Sequence, residues 1–131
     1  MKNLILSVLG LFLLAGCANS QTNQAQIPIQ DVDSKTFQSL INSGKGVVLD
    51  VRTPEEYAEG HIKGATQIDV FDATFEKQIM TLPKDKEVYV YCAGGGRSYD
   101  AAKVLQKHGY KAFNLEYGFD DWKKKGYPVE Q

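Results

Sequence analysis

Continuous apolar runs and amphipathic stretches alternate along this chain, separated by turns marked with glycine or proline. Val47-Val48-Leu49-Asp50-Val51 and Glu87-Val88-Tyr89-Val90-Tyr91 lack polar alternation, the pattern of strands buried on both faces. Ala112-Phe113-Asn114-Leu115 predicts the last such strand, and Thr66 to Ile68 a brief one. Ile27-Pro28-Ile29 reads as a short edge strand, where proline is tolerated. Between these runs, Phe37, Leu40 and Ile41 share one helical face behind a cap at Asp33 or Ser34, ending near Gly44. Thr53-Pro54-Glu55-Glu56 has the chemistry of a capping box with proline at the first helical position, and Gly60 closes that helix early. Gly60 to Ala65 reads as a turn. Phe75, Ile79 and Met80 predict a short helix stopped by Pro83. Ala101, Ala102, Val104 and Leu105 predict a longer helix ending at His108-Gly109, and Gly118 to Lys125 a final helical turn or two holding Trp122 against the body. Strands alternating with short helices imply an α/β domain, a mainly parallel sheet flanked by helices on both faces.

The start of the chain breaks this pattern. Lys2 precedes an apolar run from Leu4 to Leu14, too short for a spanning helix and shaped like a secretory leader. The run ends in Leu14-Ala15-Gly16-Cys17, which resembles the bacterial lipobox; a plain signal peptide is the alternative reading. The expected organisation is a lipoprotein leader over residues 1–16, a lipidated Cys17 opening a polar linker over 17–28, and a domain over 29–131. Stable anchoring needs more than one acyl chain, and the lipoprotein pattern supplies several. The domain is then exported and held at a bacterial membrane on its periplasmic face. Ala18, directly after the cysteine, resembles the outer-membrane sorting pattern.

Composition narrows function mainly by exclusion. A chain of 131 residues with 43% hydrophobic and 24% charged residues supports one domain with a core. A formal net charge of −1 gives no reason to expect nucleic acid, and a monomer is expected. Two histidines and two unrelated cysteines, Cys17 and Cys92, supply neither a disulfide framework nor a metal ligand set.

The chemistry concentrates in Cys92-Ala93-Gly94-Gly95-Gly96-Arg97-Ser98, between a strand end and a helix start. Three glycines can expose successive backbone N–H groups as an anion-binding nest. The helix dipole and the Arg97 guanidinium add positive potential, and all of these favour a thiolate at Cys92. An inert buried cysteine before a flexible turn is the bland alternative. Asp50 and Arg52 follow one strand and Cys92 another, so all three fall at the carboxyl edge of the sheet, where such folds bind ligands.

Val48-Leu49-Asp50-Val51-Arg52, Glu56-Tyr57, Gly60-His61-Ile62-Lys63-Gly64-Ala65 and Cys92-x-x-Gly95-x-Arg97-Ser98 together resemble the single-domain rhodanese family, over about Val32 to Pro128. The resemblance implies the rhodanese fold, with about five parallel strands between helices. It also implies thiosulfate sulfurtransferase activity through a persulfide on Cys92, with no separate cofactor. The implied partners are a small anionic sulfur donor and a cyanide or thiol acceptor. Ala93, Gly94, Gly95, Gly96, Arg97 and Ser98 would then bind the donor, with Arg97 orienting its sulfonate oxygens. Asp50 and Arg52 would support the site from behind; a strand-end ion pair is the alternative. Ala93 departs from the family, where a charged or polar residue often follows the cysteine. Glu56 is read as a cap, His61 as structural, His108 as favouring its helix end, and Tyr117, Phe119 and Trp122 as core or rim. A cysteine-dependent phosphatase is disfavoured, since phosphate-cradling loops place five residues between cysteine and arginine and this chain has four, Ala93 to Gly96. A membrane-tethered persulfide carrier or an anion-binding module stays open.

Overall fold

A computed structural model describes Gly16 and residues 26–131. The rest of the leader, Cys17 and most of the linker lie outside the described residues, and Gln26 to Pro28 carry no regular structure. Strand β1 (Gln30–Val32) begins just after the expected Ile27-Pro28-Ile29 run. Pro28 has no N–H to give to a ladder, and pairing starts where Gln30 faces Phe113. Helix α1 (Ser34–Asn42) is capped by Asp33, whose side chain accepts from the Thr36 amide at 2.8 Å. Strand β2 (Gly46–Asp50) leads to α2 (Pro54–Glu59), where both halves of the Thr53–Glu56 capping box are formed.

Strands β3 (His61–Ile62) and β4 (Thr66–Gln67) follow, then α3 (Phe75–Ile79), β5 (Glu87–Tyr91), α4 (Gly96–Lys107), β6 (Ala112–Leu115), α5 (Gly118–Lys124) and β7 (Val129–Glu130). The main sheet has the order β1-β6-β5-β2-β4 with every neighbouring pair parallel. The expected turn from Gly60 to Ala65 is in part a strand. His61 and Ile62 pair antiparallel with Glu130 and Val129 in a separate two-stranded sheet. Two-residue strands have no periodicity to read, and this partner lies at the far end of the chain.

The main sheet divides the core. Val88, Val90 and Cys92 face α3 and α4, packing with Leu49, Val51, Ile79, Ala101 and Leu105. Tyr89 and Tyr91 point to the opposite side, against Phe37, Leu115, Phe119 and Trp122. The apolar run of β5 thus alternates small and aromatic residues, one set for each layer. Phe37 from α1 meets Tyr89, Tyr91 and Trp122 edge-on with centroids 6.0–6.4 Å apart, the arrangement ring quadrupoles favour. Trp122 is fully buried and donates its indole N–H to the Pro128 carbonyl, which ties the chain's last segment to α5.

After β2 the chain proceeds to β4 on one side, while after β5 it proceeds to β6 on the other. The crevice between the carboxyl ends of β2 and β5 is therefore the topological switch point. Asp50 ends β2 there, in register with Tyr91 of β5. Its carboxylate is fully buried and takes Nε and Nη2 of Arg52, with Nη2 to Oδ2 at 2.6 Å. The same Nη2 donates to the Gly60 carbonyl at 2.7 Å, and the guanidinium lies 4.2 Å from the Phe119 ring centroid. Arg52 thus clamps the end of α2 to the sheet and to α5.

A buried charge that loses its partner keeps its desolvation cost. Asp50→Ala is expected to lower the unfolding free energy by about 3–5 kcal/mol, because Arg52 stays buried without a counter-charge. Urea unfolding followed by far-UV circular dichroism measures it, and a change below about 1 kcal/mol would show the pair to be dispensable.

Candidate active site

Cys92 follows β5 directly, and its side chain continues the Val88, Val90 row into the layer beneath α4. The next residues curl over it. Gly95 has φ +102°, and a Cβ there would collide with the Glu116 carbonyl. That left-handed turn brings the Gly95 N–H back to Cys92 Sγ at 3.1 Å. At Gly94 and Gly96 an added Cβ would meet nothing within 4 Å, and neither has positive φ. Of the three glycines, the turn requires Gly95 alone. The other two leave the outer surface of the loop bare.

Helix α5 holds the loop from behind. The Phe119 N–H donates to the Cys92 carbonyl at 2.8 Å and the Asp120 N–H to the Ala93 carbonyl at 3.1 Å. Gly118, at φ +70°, lies so close that a Cβ would strike the Ala93 peptide. Ala93 is thus fixed through its carbonyl, and its small side chain is half-buried.

Ser98 is fully buried in the first turn of α4, with Oγ 3.3 Å from Cys92 Sγ. Burial pushes the Cys92 thiol up. Hydrogen bonds from the Ser98 hydroxyl and from the amides of Ser98, Gly95 and Gly94 outweigh it, so the thiol lies below its ordinary value. Backbone and hydroxyl dipoles carry that shift.

Arg97, expected to add positive charge beside Cys92 and to orient the donor, has an ion-pair partner. Its Nη1 and Nη2 form a two-point pair with Glu56 of α2, at 2.7 and 2.9 Å. The Glu56 Oε1 in that pair also takes the Thr53 N–H at 3.3 Å, so one carboxylate serves both cap and arginine. The Arg97 bond and the Thr53 amide hold the Glu56 carboxyl down at about 2 against the opposing effect of burial. Glu56 in turn pushes Arg97 higher than usual. A carboxyl depressed this way contributes fully above its ordinary 4.5 and loses its contribution only as pH falls through about 2. The pair therefore bridges the switch-point crevice at every physiological pH. No local pattern signals it, because the partners are 41 residues apart.

Asp50 and Arg52 make no hydrogen bond to the loop among the described residues; they form the ion pair beneath the neighbouring turn. Arg52 reaches the loop through the Phe119 ring. His61 stacks on Tyr57 at 3.7 Å, with Nδ1 3.0 Å from the Tyr57 carbonyl, a structural position. Phe119 and Trp122 are core, while Tyr117 is exposed beside the loop's support. His108 ends α4 with Nε2 2.6 Å from Glu76. The structure adds one residue to the site: Asn114, buried in β6, donates Nδ2 to the Gly95 carbonyl at 3.2 Å. Its signal was available, as the one polar residue inside an apolar strand.

The described geometry is a buried thiol with a lowered pKa, cradled by amides at a switch point, beside a neutralised arginine. Known proteins resemble this chain in sequence and fold. The Rhodanese-like domain family matches residues 33–125. A sulfurtransferase of Allochromatium vinosum is 33% identical over 103 residues, covering 77% of this chain and 94% of that protein. A rhodanese-related protein of Thermoplasma volcanium superimposes with a TM-score of 0.70 at 30% identity, covering 77% of this chain and 97% of the other. A Rhodopseudomonas palustris protein of unknown function, described as a possible tyrosine phosphatase, has a TM-score of 0.66 at 32% identity over 78% of this chain and 85% of its own. With the family spanning most of the sequence and its parallel sheet, this chain belongs to the rhodanese-like domains.

Proposed function

We propose that this protein transfers sulfane sulfur through a persulfide on Cys92, with thiosulfate or a related small anion as donor. Family membership and the sulfurtransferase relative support sulfur transfer in general. The observation that carries the residue assignment is the Cys92 Sγ receiving the Gly95 amide at 3.1 Å and lying 3.3 Å from the Ser98 hydroxyl. The Cys92 thiolate attacks the outer sulfur of thiosulfate, a new S–S bond forms, and the bond to the sulfonate sulfur breaks. Sulfite leaves with that electron pair, and Cys92 carries a persulfide anion. Cyanide or a thiolate then attacks the outer sulfur, and the Cys92 thiolate is regenerated. Neither step needs a positioned general base, because the thiolate form is the nucleophile and sulfite leaves as an anion. The loop amides stabilise the anionic persulfide as an oxyanion hole would.

A phosphatase reading, prompted by the Rhodopseudomonas neighbour, has less support. The loop is one residue shorter than phosphate cradles, and Glu56 already occupies the terminal nitrogens that a phosphate would need. That pairing does favour a second reading, a persulfide carrier loaded by a donor less charged than thiosulfate. Steady sulfite release from thiosulfate with cyanide supports the enzyme; Cys92 loading by polysulfide without turnover of thiosulfate supports the carrier.

We also propose that Cys17 is lipidated and tethers the domain to the periplasmic face of a bacterial membrane, with residues 17–28 as the leash. The support is the Leu14-Ala15-Gly16-Cys17 pattern.

Thiosulfate treatment of reduced protein is expected to add one sulfur atom to the Cys92 peptide, read by mass spectrometry, with no such gain in Cys92→Ser. An unmodified Cys92 in folded wild type would sink the persulfide route. Glu56→Gln keeps the capping box, since glutamine serves at that position, and frees the Arg97 charge. It is expected to lower KM for thiosulfate about tenfold, the scale of one hydrogen bond to a charged group. Loading by inorganic polysulfide is the comparison, and an unchanged KM for thiosulfate means that Arg97 does not meet the donor. Expression in a Gram-negative host with labelled palmitate is expected to label wild type and not Cys17→Ala; equal labelling refutes the anchor.

A further inference from the structure

The Ser98 hydroxyl lies within reach of two acceptors and has one proton to give. Its Oγ is 3.3 Å from Cys92 Sγ and 3.2 Å from the Gly95 carbonyl oxygen. Which acceptor it takes decides whether the thiolate has a hydroxyl donor. The Gly95 oxygen has two lone pairs, and two other donors reach it: the Tyr99 N–H at 3.2 Å and Asn114 Nδ2 at 3.2 Å.

Asn114 is held in that role. Its Nδ2 also donates to Asp31 Oδ1 at 2.9 Å. Both of its partners are acceptors, so the opposite amide orientation would face oxygen to oxygen twice. Asn114 Oδ1 is buried with no partner among the described residues, so the side chain acts through its Nδ2 group, one N–H to the Gly95 carbonyl of the loop and the other to Asp31.

From this arrangement we propose that Asn114, oriented by Asp31, is a positioning residue for sulfur chemistry: by filling the Gly95 carbonyl it leaves the Ser98 hydroxyl to donate to Cys92. The chain of contacts runs from exposed β1 through β6 and the loop to the thiol. The charged groups around it come from three elements and one loop: Arg97 of α4, Glu56 of α2, Asp31 of β1, and Asp69 between β4 and α3. Arg97 is paired to Glu56 and does not titrate near the thiol. The proposal rests on Cys92 as the nucleophile, not on the identity of the donor. Its readout is thiol ionisation, so it can fail while sulfur transfer stands, and the reverse.

The test is the pH dependence of Cys92 alkylation by iodoacetamide in the full chain, resolved from Cys17 by peptide mass. Asn114→Leu is expected to raise the midpoint by about one pH unit. Ser98→Ala is expected to give a similar rise, and the double variant no more than Ser98→Ala alone. Additive shifts in the double variant, or an unchanged midpoint in folded Asn114→Leu, overturn the proposal. Asp31→Ala covers the case in which Asn114 variants do not fold, because Asp31 is exposed. By charge alone, losing this carboxylate would move the thiol down. The proposal requires it to move up, by less than in Asn114→Leu, and a downward or absent shift overturns it.

Discussion

The chain can turn back over its own cysteine because it passes through Gly95, where φ is +102° and the place of a Cβ is taken by the Glu116 carbonyl. That turn aims the Gly95 amide at Cys92 and starts α4 close enough for Ser98 to lie beneath the same sulfur. Everything else at the site secures this reversal. The amides at the start of α5 hold the carbonyls of Cys92 and Ala93, and Asn114 holds the Gly95 carbonyl from the neighbouring strand. The fold supplies rigid elements on three sides of a loop whose outer surface carries no side chains at Gly94 and Gly96.

The charges are arranged differently from the dipoles. Both arginines near the switch point are paired, Arg52 with Asp50 and Arg97 with Glu56. The first pair is buried and joins the ends of β2 and α2 to α5. The second is half-exposed and spans from α2 to α4 across the crevice. With the full charges balanced, the field at Cys92 comes mainly from fixed amides and one hydroxyl, which cost no reorganisation when a thiolate or persulfide forms. A loop built this way discriminates less by donor charge than one with a free guanidinium, which is why the pairing of Arg97 bears on the choice of sulfur donor.

Alternation and capping were legible in the chain itself. The apolar runs Val47 to Leu49 and Val88 to Tyr91, without polar alternation, placed two central strands, because a parallel strand between helical layers exposes neither face. Thr53, Pro54 and Glu56 sit within one turn of each other, so their box could be read without knowing the fold. The β1 shift and the β3–β7 pair could not be read. Pairing there is decided by which distant segment supplies hydrogen-bond partners, and segments of two or three residues have no period of their own.

The same division holds at Cys92. By itself the sequence determined that a cysteine, a flexible glycine turn, an arginine and a helix start would be consecutive, and that Asp50, Arg52 and Cys92 would share one sheet edge. These follow from chain connectivity and strand direction. Only the tertiary structure decided that Arg97 faces Glu56, that Gly95 alone among the three glycines is required, and that Asn114 reaches the loop. Each of those depends on a contact between segments far apart in sequence, whose approach is set by the packing of the elements on the sheet; the polar Asn114 in an apolar strand marks its position but not its partner.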